Sequence, residues 1–230
     1  MIQFEGVSKR YVHKQGLSEF TFQFESGHII GVIGENGSGK STLLKLAAGL
    51  LMPSKGHVLV DGERAKRRCS DKVAYLSELD GCYSFLTVAG TVDFHAATFA
   101  GFDRRKAEEM LDFMQLGRTQ KVCSLSKGSR GRLKIVLALS RRVPYVLMDE
   151  PLSGLDPLVR QSIIRGLISF VDLRRQALIL TTHELADIEP VLDTVILIKK
   201  GRLLAARNID DVRREECLNL TDWMVKCYGE

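Results

Sequence analysis

No apolar run in this 230-residue chain approaches the roughly 20 residues that a membrane-spanning helix requires. Stretches such as Ile29 to Ile33 and Ala177 to Leu180 are far too short. The N-terminus, Met1-Ile2-Gln3-Phe4-Glu5, lacks a basic region followed by an apolar run and a small-residue cleavage site, so secretion is not expected and the cytoplasm is the expected compartment. The five cysteines, Cys69, Cys82, Cys123, Cys217 and Cys227, are an odd number with no CxxC pair and no His/Cys cluster at metal-ligand spacing. They read as reduced thiols with structural roles. A repeat with a period of about 20 to 50 residues is missing, as are low-complexity segments, which excludes solenoids and disordered tails. The formal net charge of +5 is scattered along the chain. Its densest basic group, Arg64-Ala65-Lys66-Arg67-Arg68, has no aromatic residue interleaved. That run reads as a solvated loop, and no nucleic-acid partner is expected.

What remains is ordinary globular material, 45% hydrophobic and 27% charged, enough for one compact domain with a lobe inserted in it. Phe20, Phe22 and Phe24 alternate with Thr21, Gln23 and Glu25, the period-2 pattern of a half-buried strand. His28 to Ile33 is a short apolar run that ends in a glycine-rich turn, and Ser41 to Leu51 follows with a helical pattern. His57 to Val60 predicts a strand closed by the turn Asp61-Gly62, and Val73 to Leu76 predicts another. From Leu86 to about Arg142 the character turns helical. In the segment Asp103 to Leu116, Ala107, Met110, Leu111 and Met114 share a face, with Asp103 as N-cap and Gly117 as C-terminal stop. Alternation then returns: a strand at Tyr145 to Met148, a helix from Pro157 to Val171 capped by Asp156, and strands at Ala177 to Thr181, Val191 to Ile198 and Arg202 to Ala206. The tail from Ile209 is polar with helical potential. Strands alternating with helices imply an α/β core around a mostly parallel sheet. The expected organisation is a core of residues 1–85 and 143–230, with a helical subdomain at 86–142.

Gly34-Glu35-Asn36-Gly37-Ser38-Gly39-Lys40-Ser41 satisfies GxxxxGK[ST], with a strand before it and a helix after. Glycines let backbone N–H groups turn inward around phosphate oxygens, Lys40 neutralises charge, Ser41 is placed to ligate magnesium, and the helix N-terminus favours an anion. Gly34, Asn36, Gly37, Ser38, Gly39, Lys40, Ser41 and Thr42 are therefore the expected ATP-binding residues. Tyr145 to Glu150 is an apolar strand ending in two acids. In a parallel sheet both strand ends lie on one edge, so Asp149 reaches a magnesium ion held on the phosphates, and Glu150 faces the terminal phosphate as the residue that polarises the attacking water. His183 follows the strand Ala177 to Thr181 and is delivered to the same edge.

These residues resemble a family: the nucleotide-binding domains of ATP-binding cassette (ABC) transporters, with a P-loop core, an antiparallel N-terminal subdomain and an inserted helical subdomain. Leu125-Ser126-Lys127-Gly128-Ser129 looks like the family signature LSGGQ, placed before the acidic strand. Glu150-Pro151-Leu152-Ser153-Gly154-Leu155-Asp156 looks like the catalytic glutamate and the D-loop. Tyr11, after Val7-Ser8-Lys9-Arg10, sits where the family stacks a ring on adenine, and His183 matches the switch histidine. The resemblance implies an ATPase that uses ATP and Mg2+, with Glu150, His183 and Lys40 catalytic and with Ser41, Asp149 and Glu78 around the metal. It implies two domains facing head to tail, as homodimer or heterodimer, with Ser126 and Gly128 touching the terminal phosphate held by the other subunit. A separate transmembrane permease is the other implied partner, which places the chain on the inner face of the cell membrane. Tyr83 and Phe85, in the stretch Asp80 to Phe85, are candidate contacts with that permease.

Two positions depart from the family pattern. Glu78 stands where the family often has glutamine, and Lys127 and Ser129 occupy the third and fifth signature positions. Lys127 is expected in solvent. This combination resembles bacterial exporter subunits for drugs, peptides or antibiotics. The other reading, a soluble ABC ATPase acting on DNA or the ribosome, usually goes with paired cassettes or a long coiled coil, and this chain has neither a second phosphate loop nor sustained heptads.

Overall fold

The computed structural model describes residues 1–79, 81–215 and 218–229. Cys217, one of the five cysteines, and Asp80, the first residue of the stretch ending at Phe85, lie outside the described residues. The chain opens with β1 (Ile2–Arg10) and β2 (Gln15–Phe24), followed by β3 (Ile29–Ile33) and α1 (Lys40–Ala47). Next come β4 (Lys55–Val60), β5 (Glu63–Arg64) and β6 (Val73–Leu76). A helical stretch holds α2 (Val88–Thr98), α3 (Arg104–Phe113) and α4 (Lys127–Leu139). The remainder is β7 (Tyr145–Asp149), α5 (Pro157–Phe170), β8 (Ala177–Thr181), α6 (Leu185–Ile188), β9 (Thr194–Lys199), β10 (Arg202–Asn208), α7 (Ile209–Glu215) and α8 (Leu220–Gly229).

Two sheets result. One is antiparallel, in the order β2-β1-β4-β5; the other runs β10-β9-β3-β8-β7-β6, parallel except for the β9–β10 pair. The parallel strands are buried on both faces, and side-chain alternation divides them between two cores. Ile29 and Ile33 of β3, Val146 and Met148 of β7 and Leu178 and Leu180 of β8 face the core built with the helical lobe. Ile30, Val32, Leu147 and Ile179 face the other core, filled by α1 and by Phe4, Phe20 and Phe24 of the antiparallel sheet. Phe4 meets Phe20 edge-on at 5.4 Å between centroids, the offset geometry aromatic quadrupoles prefer.

Caps set two helix starts as the sequence suggests, with Asp103 accepting from the Lys106 N–H and Asp156 from Val159, and Ser126, not expected as a cap, accepts from Ser129. Several boundaries differ from the expectation, three of them at turns. The helix after the phosphate loop stops at Ala47, not Leu51, because Gly49 takes φ 67, a left-handed conformation that ends helices. Helix α3 ends at Phe113, with Gln115 at φ 55 supplying the left-handed turn in place of Gly117. The strand expected from Val191 begins only at Thr194, since Glu189–Val191 closes a 3-10 turn carrying Pro190. The basic group at Arg64 to Arg68 is solvated apart from half-buried Ala65. Among the described residues no helix is long and apolar enough to cross a membrane.

Candidate functional site

Because β3, β8, β7 and β6 are adjacent and parallel, everything that follows their C-terminal ends lies along one edge, where open α/β sheets bind ligands. That edge carries in turn the glycine-rich loop, His183, the Asp149-Glu150 pair and Glu78. A cleft of about 400 Å³ opens there, lined by Asn36, Gly37, Gly39, Lys40, Ser41 and Thr42, by Glu78, Glu150 and His183, and by Tyr11 from the antiparallel sheet.

The loop after β3 has the backbone its glycines predict, with Gly37 at φ 81 and Gly39 at φ 114. A methyl group on Gly39 would overlap the Gly16 carbonyl, so neither conformation nor space admits another residue. Lys40 is 6% exposed and donates to the carbonyls of Gly34 (2.8 Å) and Glu35 (3.3 Å), with its ammonium 3.7 Å from Glu150 Oε1. Ser38 Oγ is buried and has no hydrogen-bond partner. A buried hydroxyl left unmatched costs free energy, and a phosphate oxygen is the acceptor this cradle of N–H groups and a lysine is shaped to take.

Asp149, 2% exposed, gathers three hydroxyls: Ser41 and Thr181 donate to Oδ1 at 2.9 Å each, and Tyr75 donates to Oδ2 at 3.0 Å. Burial and the neighbouring Asp149 charge push the Tyr75 phenol well above its ordinary pKa, so it stays a donor. Thr181 also accepts the Glu150 N–H at 2.9 Å. Glu150 itself sits at φ 49, a left-handed conformation uncommon for a long side chain and typical of strained functional positions. His183 Nδ1 lies 2.8 Å from Glu150 Oε2, and the imidazole is 50% exposed where the carboxylate is 10%. Ser41 Oγ and Asp149 Oδ1 are hard oxygen donors side by side. That set fits magnesium, which takes one or two protein oxygens and completes its octahedron with phosphate and water. Among the described residues no three His, Cys, Asp or Glu side chains converge as a self-sufficient metal site.

The other expected residues separate into two groups. Tyr11 lines the cleft, its hydroxyl 3.3 Å from Thr42 Oγ1 and its ring 5.5 Å below the Lys9 ammonium. Glu78 also lines it, and its carbonyl accepts from Lys134 at 3.0 Å. Ser126 and Gly128 are absent from the cleft. They occupy the N-terminus of α4, where the Ser126 hydroxyl also donates to Ser129 Oγ. Lys127 is solvent-exposed as expected, and its ammonium reaches over Gly154.

Tyr75, Thr181 and Lys14 are the residues sequence reasoning missed. Thr181 was legible as the strand residue two before His183. Lys14 lines the cleft and its ammonium approaches Gly37, so that a methyl group there would lie 2.9 Å from it; no local pattern marks it.

The sequence model of a family described as ABC transporter matches residues 17–153. The ABC transporter ATP-binding protein YtrB of Bacillus subtilis is 28% identical over 217 residues, covering 94% of this chain and 74% of that protein. The uncharacterized ABC transporter ATP-binding protein MJ1023 of Methanocaldococcus jannaschii is 30% identical over 220 residues, covering 93% of this chain and 80% of that protein. Among solved structures, one described as an ATP binding subunit of an ABC transporter superposes with a TM-score of 0.87 at 27% identity, covering 99% of each chain. A dimeric ATP-binding cassette in a post-hydrolysis state bound to ADP and Pi has the same fold, with a TM-score of 0.81 at 22% identity over 91% of this chain and 99% of that one.

Proposed function

The chain belongs to the ABC transporter family as an ATP-binding domain, and from that premise we propose that it hydrolyses ATP to drive export through a separate membrane subunit. The observation that carries the hydrolysis is the convergence of Lys40, Ser41, Asp149, Glu150 and His183 at the sheet edge.

The phosphates of ATP sit in the Gly34 to Thr42 loop against its N–H groups, and Lys40 leaves the Gly34 and Glu35 carbonyls for phosphate oxygens. Ser38 Oγ gains the partner it lacks. Ser41 and Asp149 hold magnesium, which when bound neutralises phosphate charge. Tyr11 stacks on adenine, and the Lys9 ammonium lies 5.5 Å from the centroid of the same ring. Glu150 orients the attacking water and accepts its proton as the new oxygen–phosphorus bond forms and the bridging bond to ADP breaks. Positioning and electrostatics carry most of such a reaction. His183, hydrogen-bonded to Glu150, sets the carboxylate's direction. Glu78, between the cleft and the helical lobe, is placed to sense the terminal phosphate.

Ser126 and Gly128, outside this cleft and at the start of a 13-residue helix, offer a hydroxyl, N–H groups and a positive helix end to the phosphate of a second ATP-binding subunit facing head to tail. The membrane partner docks on the lobe beside Glu78, where Leu79, Tyr83 and Phe85 are 75%, 50% and 72% exposed and Tyr83 stacks edge-on with Phe94 at 5.2 Å. Exposed apolar clusters of this kind mark interfaces. Such docking places the protein on the cytoplasmic face of the membrane.

Single-turnover hydrolysis tests the assignment. Glu150→Gln is expected to keep ATP binding and lose at least about a hundredfold in rate; equal rates for the variant and the wild type reject Glu150 as the water-activating group. In the same preparation, changing Tyr83 and Phe85 to alanine is expected to spare hydrolysis and abolish capture of the membrane subunit, and undiminished capture removes the docking surface.

A further inference from the structure

The outer face of the phosphate loop is held by the C-terminal helix. Tyr228, near the end of α8, accepts a hydrogen bond from the Glu35 backbone N–H at 3.1 Å and donates to the Ile198 carbonyl at 3.4 Å. Glu35 lies in the loop itself, 193 residues away in sequence. Its carbonyl accepts from the Ser38 N–H at 3.0 Å and from Lys40 Nζ at 3.3 Å. One peptide group on each side of Glu35 is thus anchored, by α8 on one side and by the loop's own donors on the other.

Helix α8 is itself firmly seated. Trp223 and Leu220 are 2% and 1% exposed in the core, and the Leu220 N–H bonds Glu189 Oε2 at 3.2 Å. Lys199 Nζ donates to the Tyr228 carbonyl at 2.9 Å and lies 5.0 Å from the centroid of its ring. The turn between β9 and β10 adds a second brace, since the Gly201 N–H donates to the Ser38 carbonyl at 2.8 Å. The loop therefore rests on a platform made from the end of β9, the following turn and Tyr228.

We propose that Tyr228 is a positioning residue for ATP binding: its hydroxyl holds the Glu35 peptide so that the phosphate loop is ordered before nucleotide arrives. This rests on the reading of the loop as the ATP phosphate site. When Lys40 turns to a phosphate, Glu35 loses that partner, whereas the Tyr228 bond touches no phosphate-facing group and persists. A loop already ordered has less conformational freedom to lose on binding. Packing of α8 alone would affect folding stability; the hydroxyl bond predicts an effect on nucleotide affinity instead.

The test uses Tyr228→Phe, which deletes one oxygen, and Lys199→Met, which loosens the seat of the ring while leaving the hydroxyl. Binding of ATP is measured by equilibrium dialysis, KM and kcat by steady-state hydrolysis, and amide hydrogen exchange at Glu35. Loss of the Glu35 hydrogen bond corresponds to about a three- to tenfold rise in Kd and KM for Tyr228→Phe, the bond to the Ile198 carbonyl being lost with it, with kcat at saturating ATP and core amide exchange unchanged and Glu35 exchange faster. Lys199→Met is expected to shift affinity less and in the same direction. Unchanged Kd and unchanged Glu35 exchange in Tyr228→Phe overturn the proposal, as does a fall in melting temperature and kcat together with KM constant. A wild-type protein that binds no ATP would instead overturn the underlying reading of the loop.

Discussion

Asp149 shows how much of this site is made by the hydroxyls that surround one carboxylate. The three hydroxyls on its carboxylate come from Ser41 on α1, Tyr75 on β6 and Thr181 on β8, and Thr181 also takes the Glu150 N–H. Fixing both oxygens of a carboxylate proposed to hold a metal is the part such outer partners play. Tyr75→Phe keeps the ring and removes one donor. Its expected effect is a rise of roughly twofold to tenfold in the Mg2+ concentration needed for half-maximal hydrolysis, as befits one hydrogen bond; titrating Mg2+ at fixed ATP reads it directly. Ser41 was recognisable from its place after the motif lysine. Tyr75 was hidden, because its phenol reaches Asp149 only through the pairing of β6 with β7.

At the scale of elements, local chemistry set helix starts better than helix ends. Asp103, Ser126 and Asp156 each cap the helix that follows, since a side-chain acceptor and a free N–H three residues on are both local. Helix ends depend on which residue takes a left-handed turn: Gln115 does so in place of Gly117, and Gly49 ends α1 early. Asp103 carries a pH-dependent prediction. The Lys106 N–H, with the Arg142 guanidinium, holds its carboxyl below the usual carboxylate range. A carboxyl lowered on folding stabilises the native state above its unfolded pKa of about 3.9, and that contribution fades as pH falls through the lower folded value. Asp103→Ala is therefore expected to cost about 1 kcal/mol near neutral pH, with the gap to wild type closing in denaturant melts below about pH 4.

On the scale of the whole molecule, one chain holds two unlike halves: the cleft with Lys40, and the α4 N-terminus with Ser126 and Gly128, which lies outside it. The head-to-tail arrangement proposed above makes a mixing experiment decisive. A Lys40→Ala chain and a Ser126→Ala, Gly128→Asp chain are each expected to be inactive alone. Mixed, they form pairs in which one composite site draws both halves from unaltered sequence, and hydrolysis returns. No recovery on mixing counts against the composite site.

The sequence by itself determined the glycine-rich loop, the acidic pair and the alternation of strands and helices, because each rests on neighbours in the chain: glycines with positive φ, a strand running into a loop, a helix start ready for an anion. Only the tertiary structure decided which of those pieces share an edge and what stands behind them. Strand order brought Asp149 and Thr181 into register, set Tyr75 beneath the carboxylate, and let Tyr228 brace a loop 193 residues upstream. Contacts of that span depend on sheet pairing and helix docking, to which no local pattern of residues is sensitive. The physical divide is therefore one of range: backbone preference is written residue by residue, whereas a hydrogen bond between distant elements exists only once the core has put them side by side.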